Sequence, residues 1–361
     1  MLSAVTGYFF NPYMNTEETS ESSHDSGFSE SVGPVGNAAI NAGFDIPDEL
    51  VAQLGTRQVK RSRYLGKRYS YVQKRLQLRN DGSCISEVQS ETYRRRSDRT
   101  SVRVIHKVLS SGKVVGRRKY RRLENKDDQA ASVGRAQSCF TREIVNHQHL
   151  SHPRIVPVIK SEERNHGDSA ECHIWQPYGG LDLNKADGAT PDGMNIHQWM
   201  HYLLQAFEGV EYMHQQGFVH RDLKPGNIVV DDEGYSRLID LGFSEQLDFS
   251  FPLHNRSGTS YYRAPEVWRR EEQNEASDVY AAGMTVVRAL EVCGLMKPQP
   301  KERLEKACPV QWNLTKKGID AGIEYIIPVL QQMTADDPAA RPSISKAREM
   351  LSDEWGPILI D

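Results

Sequence analysis

Apolar and polar residues begin to alternate in a strand-like rhythm from about Tyr64. Tyr69–Leu78 and Ser83–Tyr93 flank Asn80-Asp81-Gly82, and Ser101–Leu109 and Lys113–Leu123 flank Ser110-Ser111-Gly112. Both read as hairpins, because each turn carries residues that tolerate a left-handed backbone. Ser138–Leu150 has helical spacing and stops ahead of His152-Pro153, since the residue before proline is pushed out of the helical region. Ile155–Lys160 and Glu171–Trp175 read as strands, closed off by Gly179-Gly180. Beyond these the period changes: Ile196–Gln215, Ser277–Val292 and Gly318–Met333 place apolar residues on one helical face. A β-rich first part followed by a mainly helical second part predicts an α+β fold in two lobes.

Residues 15–36 are rich in Ser, Glu and Gly and offer little apolar surface to offset ordering entropy. The expected organisation is a disordered leader over 1–50 and one folded domain over 51–361, with lobes at about 60–177 and 178–361. The 361 residues carry 45 basic and 48 acidic side chains, a net charge of -3, which points to neither a nucleic-acid polymer nor an anionic membrane as partner. The basic runs Arg94–Arg96 and Arg117–Lys119 read as a solvated face, with phosphate binding as the sharper alternative. Five scattered cysteines lack a C-x-x-C pair and fit a reducing compartment. No apolar run reaches the roughly 18 residues of a membrane span, and the first residues have no signal-peptide pattern. The expected location is cytoplasmic; the acidic Ser-rich leader is also compatible with delivery into a host cell.

The chemistry concentrates between 218 and 242. Asp222 lies in a polar loop after an apolar helix, Asn227 follows five residues later, and 228–230 with 237–239 read as a short hairpin. That hairpin returns Asp240 beside Asn227, so that both oxygens reach one metal site. Phosphoryl transfer needs these parts: a carboxylate near the attacking hydroxyl, oxygen ligands for Mg²⁺, and positive charge around the phosphates.

Here the chain resembles the Ser/Thr protein kinases. The resemblance rests on H-R-D-L-K-P-G-N at 220–227, D-L-G at 240–242, A-P-E at 264–266, Ser277-Asp278-Val279-Tyr280 with Gly283, and Asp337 to Arg341-Pro342, all in the family's order and spacing. It implies a bilobal kinase fold, ATP and Mg²⁺ as cofactors, and a protein substrate. By position it makes Asp222 the residue that accepts the hydroxyl proton and Lys224 the stabiliser of the transferring phosphoryl group. Asn227 and Asp240 become the Mg²⁺ ligands, and Thr259 lines the acceptor pocket. Glu266 and Arg341 form a buried ion pair, and Asp278 braces the catalytic loop. Arg221 is the arginine that can pair with a phosphate on the activation segment, although Glu245 or Asp248 offers a permanent negative charge instead.

The first lobe departs from the family. Lys113–Lys119 looks like the strand of the nucleotide lysine, and register leaves Arg118 and Lys119 as alternatives for that cation, with Glu143 as its helix partner. Counting back places the glycine-rich loop at Arg96–Ser101, which has no glycine. The hinge falls at Ile174–Tyr178. Two functions compete: an active ATP- and Mg²⁺-dependent Ser/Thr protein kinase, and a pseudokinase serving as a binding or scaffold module.

Overall fold

The computed structural model describes residues 44, 46–54, 64–65, 69–80, 85–95, 99–110, 138, 140–165, 170–248, 250 and 252–355. Residues 1–43 of the expected leader lie outside them, as do Arg118 and Lys119.

The first lobe is built on one antiparallel sheet. Its strands are β1 (Tyr64–Leu65), β2 (Tyr69–Asn80), β3 (Ile85–Arg95), β4 (Ser101–Ser110), β5 (Lys160–Asn165) and β6 (Ala170–Pro177), in the order β1-β2-β3-β4-β6-β5. Asn80 pairs with Ile85, so β2 and β3 connect where the sequence places its Asn-Asp-Gly turn. β4 matches the strand expected over Ser101–Leu109. On its far side β4 pairs with β6, through registers such as Lys107↔Ile174, and the expected strand Lys113–Leu123 lies outside the described residues. The strand expected over Ile155–Lys160 begins only at Lys160. Ile155 makes one isolated bridge to Leu238, and Pro157 has no N–H to continue a ladder.

Side chains alternate across a sheet, so β4 serves two layers. On one face, Leu109, Val158, Cys172 and Ile174 pack against Phe140 and Ile144 of the helix at residues 140–149. On the other, Val104, Ile159, Trp175 and Tyr93 are covered by the short helix α1 (Asp48–Gln53) and its flanks, through Leu50 and Leu54, both 0 % exposed. The expected leader boundary at residue 50 therefore falls inside a packed helix. The same segment reaches the second lobe, where the Arg237 guanidinium lies 4.6 Å over the Phe44 ring. Leu54→Ala is expected to cost about 3 kcal/mol, within the Leu→Ala range for buried sites. Urea unfolding checks this, and an unchanged midpoint would show that the segment contributes nothing to the folded state.

The second lobe is helical, as the spacing predicts. Calling residues 140–149 α2, its main elements are α3 (Leu183–Ala189), α4 (Ile196–Gln215), α5 (Pro265–Arg269), α6 (Glu275–Val292), α7 (Lys316–Asp320), α8 (Ile327–Met333) and α9 (Ile344–Trp355). A capping box of Asn195 and Gln198 starts α4. Its buried face (Trp199, Leu203, Phe207, Val210) belongs to one core with Val279, Val287 and Leu290 of α6. The single helix expected over Gly318–Met333 is broken. Gly322 stands at φ 69, and Pro328 sits in the first turn of α8, where its missing N–H costs least.

Candidate active site

A cavity of about 500 Å³ lies between the lobes. Its apolar walls are Val88 and Ile105 from the sheet, and Val156, Val229 and Ile239 from the other side. The hinge residues Gln176, Pro177 and Tyr178 line it, where the sequence expected them. A cavity of this volume, with apolar walls and a few polar groups, is suited to a small-molecule ligand.

Lys107, Glu143 and Asp240 lie in the cavity wall. The Lys107 ammonium donates to Glu143 Oε2 at 2.7 Å and to Asp240 Oδ1 at 2.8 Å. This corrects the expectation that Arg118 or Lys119 faces Glu143. Lys107 pairs with Val88 and Ile174 in the middle of the sheet, and its odd-numbered register puts it on the face toward α2. Burial opposes the charge on Lys107, but the carboxylates of Asp240 and Glu143 outweigh it and hold the ammonium well above the usual lysine range. Burial pushes the Glu143 carboxyl up, with Lys107 pulling the other way.

The expected glycine-rich loop is corrected by the same register. Arg94 pairs with Ser101, and Arg95 N–H donates to the Thr100 carbonyl, so β3 passes to β4 at the end of the sheet away from Lys107, and Arg96–Asp98 lie outside the described residues. Lys107 instead lies toward the β2–β3 connection, which contains Gly82 and falls outside the described residues. The signal for Lys107 was in the sequence. Val104-Ile105-His106-Lys107 has the ends of the family's V-A-I-K, one strand earlier in the same expected hairpin than Lys113–Lys119.

Below the cavity, β7 (Leu181–Asp182) pairs with β9 (Ile228–Val230), β8 (Phe218–Val219) leads into residues 220–227, and β9 pairs with β10 (Ser236–Leu238) as the expected hairpin. Ile239 N–H donates to the Asn227 carbonyl at 2.9 Å, which brings Asp240 back to Asn227. Asp222 accepts four hydrogen bonds. Oδ1 takes the Thr259 amide (2.8 Å) and hydroxyl (2.7 Å), and Oδ2 takes Lys224 Nζ (2.5 Å) and Asn227 Nδ2 (3.0 Å). Lys224 also donates to Thr259 Oγ1 at 2.6 Å. An alcohol oxygen therefore already reaches Asp222. Gly258 lets the Thr259 segment come this close: it stands at φ 76, and a Cβ there would lie 2.4 Å from the Arg221 carbonyl oxygen.

Two non-glycine residues of the site, Arg221 (φ 67) and Asp240 (φ 66), hold left-handed backbones. Each costs on the order of 1 kcal/mol or more and is sustained only by its surroundings. For Arg221 the support is Asp278, which accepts from the amides of His220 (2.7 Å) and Arg221 (2.8 Å) and from His214 Nε2 (3.0 Å). Burial opposes ionisation of Asp278, but His214 and the loop amide overcome it and hold the carboxyl below its usual range. Arg341 meets Glu266 in a bidentate pair at 2.7 and 2.8 Å, both side chains essentially buried. Ser277 donates to the same carboxylate at 2.9 Å.

The oxygen donors for a cation also fit. Asn227 is fully buried and its Oδ1 has no hydrogen-bond partner, while its amide nitrogen is fixed on Asp222. With the Asp240 carboxylate, 26 % exposed, this gives two protein oxygens, and phosphates and water must complete any Mg²⁺ shell. The sequence reading also missed Asp182 and Lys185, which line the cavity and pair at 2.6 Å.

A sheet lobe, a helical lobe, an interlobe cavity and a loop carrying Asp222, Lys224 and Asn227 define a protein-kinase fold. A family model described as the protein kinase domain matches residues 102–355. The chain belongs to the protein kinase family. A relative from Acanthamoeba polyphaga mimivirus, named as a serine/threonine-protein kinase, is 27% identical over 217 residues, which is 56% of this chain and 75% of that protein. The proto-oncogene serine/threonine-protein kinase mos of Sus scrofa is 32% identical over 168 residues (42% of this chain, 48% of that protein). Mitogen-activated protein kinase kinase kinase 17 of Arabidopsis thaliana is 31% identical over 146 residues (38% and 37%). The chain thus spans less than half the length of the last two relatives. Among the described residues, no helix is long and apolar enough to cross a membrane.

Proposed function

We propose that this chain is an active Ser/Thr protein kinase, transferring the γ-phosphoryl group of ATP to a protein hydroxyl with Mg²⁺. The observation that carries this reading is the Lys107 ammonium bonded to both Glu143 and Asp240 across the cleft. A cation placed there serves phosphates entering the cavity, and a scaffold has no need of it together with an open Asn227 oxygen. Asp222 orients the attacking hydroxyl and accepts its proton as the oxygen bonds to the γ-phosphorus and the bond to the bridging oxygen breaks. Lys224 shifts from Asp222 toward the phosphoryl group, and Thr259 shapes the acceptor pocket. Asn227 and Asp240 would hold Mg²⁺, which would neutralise phosphate charge when bound. Glu266, Arg341 and Asp278 keep the loops in place. The free Cys172, Cys293 and Cys308 fit the reducing cytoplasm.

The test combines ³²P transfer from ATP to a generic basic protein with thermal shifts. At ATP about 100-fold above Kd, binding stabilises the fold by about 2.7 kcal/mol. Asp240→Asn is expected to abolish the Mg²⁺-dependent part of that shift. An Asp240→Asn shift equal to wild type removes Asp240 from the metal site, and background transfer by the unaltered protein favours the scaffold reading.

A further inference from the structure

Arg221, next to Asp222, has its side chain almost sealed from solvent, at 1 % exposure. Its Nη1 donates to Glu245 Oε2 at 3.1 Å and to the Phe243 carbonyl at 3.4 Å, and its Nε donates to Gln273 Oε1 at 3.3 Å. Its Nη2 meets the Asn255 side-chain oxygen. Glu245 is the carboxylate of this set. Glu245 Oε2 also lies 3.2 Å from Nε of Arg142, the residue before Glu143 on α2. Glu245 is fixed in turn by β11 (Glu245–Gln246), which pairs with β8 through Glu245↔Val219. One carboxylate thus joins the first-lobe helix carrying Glu143, the second-lobe loop carrying Asp222, and the segment following Asp240.

Exposed ion pairs contribute little, but this one differs because one partner is buried. Burial pushes the Arg221 guanidinium below its usual range, and Glu245 opposes that. Four of the hydroxyls between Asp240 and Glu266 are poorly placed to supply the same charge after modification, whereas Ser250 is exposed and Ser260 and Tyr262 are half-buried. Ser244 is fully buried, Ser257 is buried, Thr259 is bonded to Asp222, and Tyr261 donates to Glu291 at 2.7 Å. The negative charge facing Arg221 is written into the chain.

We propose that Glu245 is a positioning residue: it locks α2 and the 220–227 loop into the geometry for transfer, so that full activity requires no phosphorylation of the 240–266 segment. This rests on the reading of the chain as an active kinase. The test uses the full chain after exhaustive phosphatase treatment, with Glu245→Gln, Glu245→Asp and the milder Arg142→Ala. Phosphatase-treated wild type is expected to keep its kcat within twofold. Glu245→Gln should lower kcat at least tenfold with ATP KM changed less than threefold, and Glu245→Asp should recover a substantial part. Arg142→Ala should lower kcat severalfold in a protein that remains folded. Hydrogen exchange gives a readout without turnover: Glu245→Gln and Arg142→Ala should each speed exchange across residues 140–149. A phosphatase-treated wild type that loses activity, or a Glu245→Gln kcat within twofold of wild type, overturns the proposal while leaving the kinase assignment intact. An inactive wild type removes the kinase reading instead, and unchanged exchange over 140–149 then overturns the brace on its own.

Discussion

Asp222→Asn is expected to lower kcat by about 10²–10⁴-fold, the span that positioned proton acceptors contribute. ATP affinity should stay within about threefold, because the change removes an interaction made in the transition state. The geometry sets this expectation. Four donors converge on the Asp222 carboxylate, and the Thr259 hydroxyl at 2.7 Å marks where a substrate alcohol bonds. An amide at this position turns one acceptor into a donor facing other donors, so a modest loss of thermal stability should accompany the loss of turnover. Initial rates with varied ATP, together with direct nucleotide binding, separate the two effects. A kcat within tenfold of wild type would remove Asp222 from the proton-transfer role.

Lys107→Met is expected to cost about 10²–10³-fold in kcat, comparable with removing one preorganised donor from a developing charge. The nucleotide-induced thermal shift should shrink as well, because two carboxylates then face the phosphates without a cation between them. Glu143, its side chain 1 % exposed and its carboxyl already raised by burial, has no other described charge partner for its Oε2. Glu143→Gln keeps an acceptor for Lys107 and should be the milder change. Arg118→Ala and Lys119→Ala should each leave kcat within about threefold. A severe Lys119→Ala with a mild Lys107→Met would restore the strand assignment drawn from sequence alone.

That contrast locates what was legible. Hairpin β2–β3, helix α4 and the loop at 220–227 depend on residues close together in the chain, and period and turn chemistry reveal them. Asp240 follows Ile239, which bonds Asn227, and this proximity is legible because the intervening β9–β10 hairpin is only a few residues long. The break at Gly322 and Pro328 had a local signal too, which the apolar spacing of the flanking helices obscured.

The sequence by itself determined the α+β class, the resemblance to protein kinases, and the contiguous set Asp222, Lys224 and Asn227, since one short loop holds all three. The tertiary structure alone decided which first-lobe cation meets Glu143. In the sequence, Val104–Lys107 and Lys113–Lys119 both carry plausible basic residues, and the choice depended on β4 pairing with β6, a contact between distant parts of the chain. It also decided that Leu50 and Leu54 cover the outer face of the sheet, and that Glu245 stands between Arg142 and Arg221. In each case the deciding interaction joins residues far apart in sequence, where neither periodicity nor spacing carries information and only packing and charge pairing in the folded chain select the partner.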